Sequence, residues 1–309
     1  MAGETPFGVS AESTATVWET VMKKQFKKTD HYQVITNQII DMMETHGASW
    51  SKPWVESGLA GAPVSISTGN TYRGINWLLL GMAGFTDARW GTFKAWKEKG
   101  ASVRKGEKAT SIVFFKMLET KDRDTGEDIQ IPMPRVYAVF NAEQVEGAPE
   151  MELPELTPTD LLDNAEAYVS NSGASITFGG DVACYSPVAD KIKCPTPDQF
   201  DSTESYYGVL LHELVHWTGH KTRCNRDLLN SFGSEDYAKE ELVAELGAAF
   251  LCSDLGITPE PRQDHAGYLA SWLKVLKSDK KFIVRAATKA QAAIDHLNGL
   301  QANQSSEAA

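Results

Sequence analysis

Apolar residues recur along this chain at two spacings, and the change from one to the other marks out its elements. Val34, Ile35, Ile39, Ile40, Met42 and Met43 return every three to four positions, which predicts an amphipathic helix over 31–46 ended by Gly47. The run Leu78–Met82 predicts a second helix, and Trp90, Phe93 and Trp96 follow at helical spacing with Lys94, Lys97 and Lys99 between them. Gly100 and Gly106 bracket a turn. Ser111–Phe115 and Arg135–Phe140 are rich in β-branched and aromatic residues and read as strands, with the charged stretch Thr120–Asp128 as the hairpin tip between them. Further on come a helix at Thr159–Ser170 and short strands at Ser175–Phe178, Ala183–Tyr185 and Lys191–Cys194. A strongly apolar helix starts near Thr203, a second carries Glu241 and Glu245, and two more cover Tyr268–Leu276 and Lys280–Leu297. Three segments lack a period. Residues 1–29 read as a flexible arm with a short helix near Val17–Phe26, 146–158 as a Pro- and Glu-rich linker, and 298–309 as a disordered tail. The fold class is α+β in two domains, 30–145 and 159–297.

Composition supports the division. A chain of 309 residues exceeds one typical core. Hydrophobic content of 42% and charged content of 23% are ordinary for a globular protein, and the net charge of −11 argues against a surface that is basic overall. Cys184, Cys194, Cys224 and Cys252 form no C-x-x-C pair and read as reduced thiols of a cytoplasmic protein. There is no apolar leader, and the longest apolar run, Ile75–Phe85, is interrupted by Asn76 and too short to span a bilayer, so no membrane is expected.

The chemistry centres on Leu210–His220, which contains H-E-x-x-H. His212 and His216 lie one helical turn apart, so both rings leave the same face and can share a metal ion, zinc or another divalent ion such as manganese. Glu213 is placed to act as catalytic base by taking a proton from a water on that metal. A third ligand is needed. Glu241 is the first candidate, with Glu245 one turn on and free to orient a histidine. His220 could reach the metal only if the helix broke at Gly219, since on a straight helix it lies about 12 Å from His212 along the axis; otherwise it is placed among the groups behind the ligands. Glu240 and Glu245 are further alternatives, with a solvated helix face as the plainer reading of Glu240.

A second feature lies between Tyr72 and Lys116. Nine basic residues there face three acidic ones in a chain that is acidic overall, and five of the eight tryptophans fall between positions 50 and 96. Cations follow phosphates and aromatic faces stack on unpaired bases, so Arg73, Trp77, Lys94, Arg104, Lys105 and Lys108 are the candidate contacts to single-stranded DNA. Burial of the tryptophans in a small core is the competing explanation.

The residues Trp50-x-x-Pro53-Trp54, Tyr72-Arg73-Gly74-Ile75-Asn76, Trp90-x-Thr92-Phe93 and Gly100-Ala101-x-Val103-Arg104-Lys105-Gly106 resemble the N-terminal domain of ArdC-type antirestriction proteins, a domain that also begins TraC-type plasmid primases. His212-Glu213-x-x-His216-Trp217-Thr218-Gly219-His220 and Glu240-Glu241-Leu242-x-Ala244-Glu245 resemble the metallopeptidase domain of the same proteins. The likeness runs from about 30 to 297. It implies a DNA-binding domain followed by a zincin-like metallopeptidase domain, and a role in protecting incoming conjugative plasmid DNA from host restriction. A protein substrate or a restriction enzyme is a further expected partner; the acidic net charge would also allow direct binding of such an enzyme by mimicry of DNA.

Overall fold

A computed structural model of the chain describes residues 30–46, 62–121, 125–150, 158–229, 234–257 and 266–307. The expected arm and its short helix, and the Trp50–Trp54 loop, lie outside these.

Helix α1 (His31–His46) opens the described chain. It is followed by β1 (Val64–Ser65), α2 (Ile75–Gly81), β2 (Arg89–Gly91), α3 (Phe93–Glu98), β3 (Ser102–Val103), β4 (Thr110–Lys121), β5 (Asp128–Asn141) and β6 (Val145–Glu146). Four of these strands form a sheet in the order β1-β2-β5-β4, and β3 pairs with β6. β4 and β5 are longer than their composition suggests, and their antiparallel register runs unbroken from Thr110↔Val139 to Lys121↔Asp128. Pro132 and Pro134, which would exclude a central strand, are tolerated because β2 meets β5 only at Phe140 and Asn141, and no other described strand pairs along that edge.

The later elements are α4 (Pro158–Asn171), β7 (Ile176–Phe178), β8 (Cys184–Ser186), β9 (Lys191–Cys194), α5 (Thr203–Thr218), α6 (Glu235–Asp254), α7 (Ala266–Ser278) and α8 (Phe282–Glu307). Their sheet has the order β7-β9-β8, with β8 as an antiparallel edge strand. Over 298–307 the expected tail is instead a continuation of α8. Leu297 is buried, Leu300 packs against the core and Gln301 Nε2 donates to the Tyr168 carbonyl at 3.1 Å, so the apolar stripe continues beneath a polar composition.

One core takes residues from both halves of the sequence. Ile35, Ile39 and Met43 of α1 and Trp77 and Leu78 of α2 belong to the same buried cluster as Leu211 and Leu214 of α5, Leu246 and Phe250 of α6, Trp272 of α7 and Ile294 of α8. Trp77 stacks at a tilt on Phe250, with ring centroids 4.8 Å apart. Arg73 at the start of α2 pairs with Asp295 of α8, and Gln291 of α8 accepts from the Gly74 N–H at 3.0 Å.

Helix α2 is fixed to the sheet by one buried side chain. Asn76 donates to the Val113 carbonyl at 2.8 Å and accepts from the Val113 N–H at 2.7 Å, so its amide takes the place of a neighbouring strand. Asn76→Ala leaves both strand groups unpaired in the interior and is expected to cost about 1–3 kcal/mol, measurable by urea titration. A smaller loss would mean that water reaches Val113.

Candidate metal centre

Two helices build the site. Ser202 caps α5 by accepting from the Ser205 N–H at 3.1 Å, and Ser234 caps α6 by accepting from the Tyr237 N–H at 3.1 Å. The helices cross closely at Gly247, where an added Cβ would lie 2.8 Å from the Val215 methyls. Val215 immediately precedes His216, so the absence of a side chain on α6 is what brings the two histidines up to Glu241.

There the donor atoms converge. His212 Nε2 and His216 Nε2 are 3.1 Å apart, and Glu241 reaches them with one oxygen each, at 3.6 Å and 3.4 Å. In a tetrahedral zinc site with bonds of about 2.1 Å, ligand atoms stand about 3.4 Å apart, so both imidazole nitrogens and the Glu241 carboxylate lie near the spacing such a site needs. His212, His216 and Glu241 are the group of metal-binding type found among the described residues, with donor atoms within 4.8 Å of one another.

The far nitrogens fix the ring orientations. His216 Nδ1 lies 3.3 Å from Glu240 Oε1, and His212 Nδ1 lies 3.2 Å from Glu245 Oε1, the latter without the alignment of a hydrogen bond. A carboxylate behind each imidazole favours a proton on Nδ1, which leaves both Nε2 lone pairs facing one another. That arrangement is unfavourable between two neutral rings unless a cation lies between them, and the donor set therefore fits a divalent metal. Burial pushes both imidazoles toward the neutral form, but Glu245 and Glu241 outweigh it at His212, and Glu240 and Glu241 outweigh it at His216, so both are raised. Burial likewise pushes Glu241 up, and the two imidazoles more than reverse this and hold it well below the usual carboxylate range. His216 is pushed up to about 10, so a metal-free site holds a proton at neutral pH that metal binding must displace. Metal affinity should rise with pH, by up to about tenfold per pH unit for each proton released. A chelator-competition titration at pH 6, 7 and 8 measures this, and a flat profile would contradict it.

Glu240 is 9% exposed, so the solvated face expected for it is wrong. Arg226 Nε bonds both its oxygens at 3.1 Å, and Arg226 also donates to the Val215 carbonyl at 2.7 Å and to Thr218 Oγ1 at 2.9 Å. Gly219 caps α5, and the returning chain passes it so closely that a Cβ there would lie 2.9 Å from the Leu228 methyls and 3.0 Å from Arg226 Nη2. His220 is not part of the ligand set. The chain bends away after Gly219, and its Nδ1 bonds Thr222 Oγ1 at 2.8 Å; the place expected for it behind a ligand is taken by Glu240. Arg226→Met strands a buried carboxylate. It should cost about 3–5 kcal/mol in thermal melts and weaken metal binding about 10- to 100-fold. Adding Glu240→Leu should recover the stability but not the affinity. Unchanged affinity in both variants would remove this pair from the site.

Glu213 is 5% exposed and follows His212 directly on α5. Its charge helps raise His216, and it is a lesser cause, after burial, of the Cys194 thiol being pushed up to about 11. It therefore sits beside the ligands without being one of the three.

The candidate DNA contacts are dispersed. Trp77 is 3% exposed with its ring against Phe250, so it cannot stack on a base; Trp90 and Trp96 are buried as well. Arg73 is committed to Asp295, and Arg104 to Glu107 and the Glu143 carbonyl. Lys94 is exposed and loosely paired with Glu98 at 3.6 Å, and Lys105 and Lys108 are exposed.

A short sheet with an antiparallel edge, a helix bearing H-E-x-x-H and a second helix supplying a carboxylate define a zincin-like metallopeptidase domain, here preceded by an α+β domain. The chain belongs to the ArdC antirestriction family. Residues 29–140 match the N-terminal domain of anti-restriction factor ArdC, and residues 163–289 match the zincin-like metallopeptidase family. The metal-free crystal structure of antirestriction ArdC from plasmid R388 is 40% identical, with a TM-score of 0.73 over 89% of this chain and 99% of that one. Its Mn(II)-bound structure is 38% identical, with a TM-score of 0.71 and the same coverage. Protein y4eC of Sinorhizobium fredii is 39% identical over 89% of this chain and 94% of its own. The DNA primase TraC of Escherichia coli is 41% identical over 92% of this chain, which spans 28% of that primase. No described helix is long and apolar enough to cross a membrane.

Proposed function

We propose that the protein combines metal-dependent peptide-bond hydrolysis by its C-terminal half with single-stranded DNA binding by its N-terminal half, and that it protects incoming conjugative plasmid DNA from host restriction. The observation that carries the enzymatic part is the convergence of His212, His216 and Glu241, with Glu213 adjacent. Three protein ligands among the described residues would leave a position for substrate at the metal, which favours hydrolysis over a purely structural site. A divalent ion held there, zinc or manganese, would polarise the scissile carbonyl and lower the pKa of water to about 7. Glu213 takes the proton of the attacking water and passes it to the departing amine. Glu240 and Glu245 hold the two rings in register. The free edge of β8, packed against α5, offers backbone groups to an extended peptide. The Mn(II)-bound relative supports a divalent ion. The family match and exposed Lys94, Lys105 and Lys108 support the DNA-binding part.

The test is elemental analysis of the purified protein, followed by digestion of an unfolded substrate such as casein with and without chelator, and a gel shift with single-stranded oligonucleotides. About one divalent ion per chain, chelator-sensitive cleavage and a shift are expected. Metal and a shift without cleavage would leave a strand-coating protein with a structural metal domain.

A further inference from the structure

Beyond Phe140 and Asn141, β5 has left β2, and β4 and β5 continue together as a two-stranded ribbon. Residues paired across the ribbon share a face. One face carries the rows Ile112–Tyr137, Phe114–Arg135 and Lys116–Met133, and beyond them Leu118. Ile112 closes its base, being 2% exposed, while Tyr137 and Phe114 are 44% and 50% exposed and Leu118 is 47% exposed. The rings of Phe114 and Tyr137 meet edge to face with centroids 5.5 Å apart. Lys116 and Arg135 are exposed beside them and have no acidic partner among the described residues. The acids of the two strands, Glu119 and Asp128, fall in rows of the opposite face. Among the described residues of the two strands, the result is an aromatic, cationic and acid-free surface on a chain of net charge −11.

Such a surface is poorly suited to water and well suited to a polyanion that presents flat rings. Pro132 and Pro134 lack the N–H groups that would let another strand add to the β5 edge, so the attraction lies in the face. We infer that single-stranded nucleic acid docks on this face, with bases stacked on Phe114 and Tyr137 and phosphates held by Lys116 and Arg135. The inference rests on the DNA-binding reading above and moves its site away from Trp77, Arg73 and Arg104, whose side chains serve the fold.

The test uses the full chain and a fluorescein-labelled oligothymidylate, read by anisotropy across a salt series. Phe114→Ala/Tyr137→Ala should weaken binding by at least about tenfold, since each stacked base contributes substantially. Lys116→Glu/Arg135→Glu should weaken it and flatten its salt dependence by about two phosphate contacts. Photo-crosslinking of the unaltered protein to bromodeoxyuridine-containing strands should give adducts within 110–121 or 128–141, which covers the case of a variant that fails to fold. If the parent binds and the ribbon variants bind equally well, or the adducts all lie elsewhere, the ribbon assignment falls while the DNA-binding function stands. If the parent binds no single strand, both fall. If the variants keep DNA binding but turn a dimer into a monomer in light scattering, the face is a contact between copies and the inference is wrong.

Discussion

Glu213→Gln should leave metal content and DNA binding unchanged and slow chelator-sensitive peptide hydrolysis by about 10²- to 10⁴-fold. Gln has nearly the same shape, so the buried position beside His212 can accept it, and Glu213 is not one of the three converging donors. What the amide lacks is a lone pair basic enough to hold the proton of the attacking water, or a proton to give to the amine. The loss should therefore appear in turnover rather than in substrate binding. Elemental analysis alongside initial rates on one substrate separates the two effects. Parent-like rates in a metal-replete variant would remove Glu213 from the reaction.

Glu241→Ala should act earlier, on metal binding itself. It removes both carboxylate contacts to the imidazoles and leaves two nitrogens 3.1 Å apart as an incomplete set. In the parent, metal at about 100 times its dissociation constant stabilises the fold by about 2.7 kcal/mol. For a chain of this size that corresponds to about 4 °C in melting temperature. The parent should lose this increment on chelation, whereas the variant should melt at one temperature with or without metal. A variant that still holds one ion per chain and responds to chelator as the parent does would show that Glu241 is not a ligand.

The parts of this site that were legible from sequence are those set by local periodicity. Two histidines one turn apart, and an acid on an apolar helix, project to predictable faces whatever surrounds them. Glu240 and Arg226 were not legible, because their meeting depends on the chain reversing at Gly219 and returning past the end of α5, a path no spacing encodes. The tryptophans show the same limit. Composition gathers Trp77, Trp90 and Trp96 into one stretch, but only packing decides that each is interior. The end of α8 was hidden for a related reason, since a polar helix is held by a few contacts such as Leu300 and Gln301 that composition does not weigh.

The shared core places a limit on how this chain can be divided. A cut near position 150 would strip α1 and α2 from Phe250 and Trp272, leaving each fragment with a raw apolar wall in place of a surface. The two halves are thus joint tenants of one interior. The Escherichia coli primase that matches 92% of this chain within 28% of its own length contains the pair as a single block.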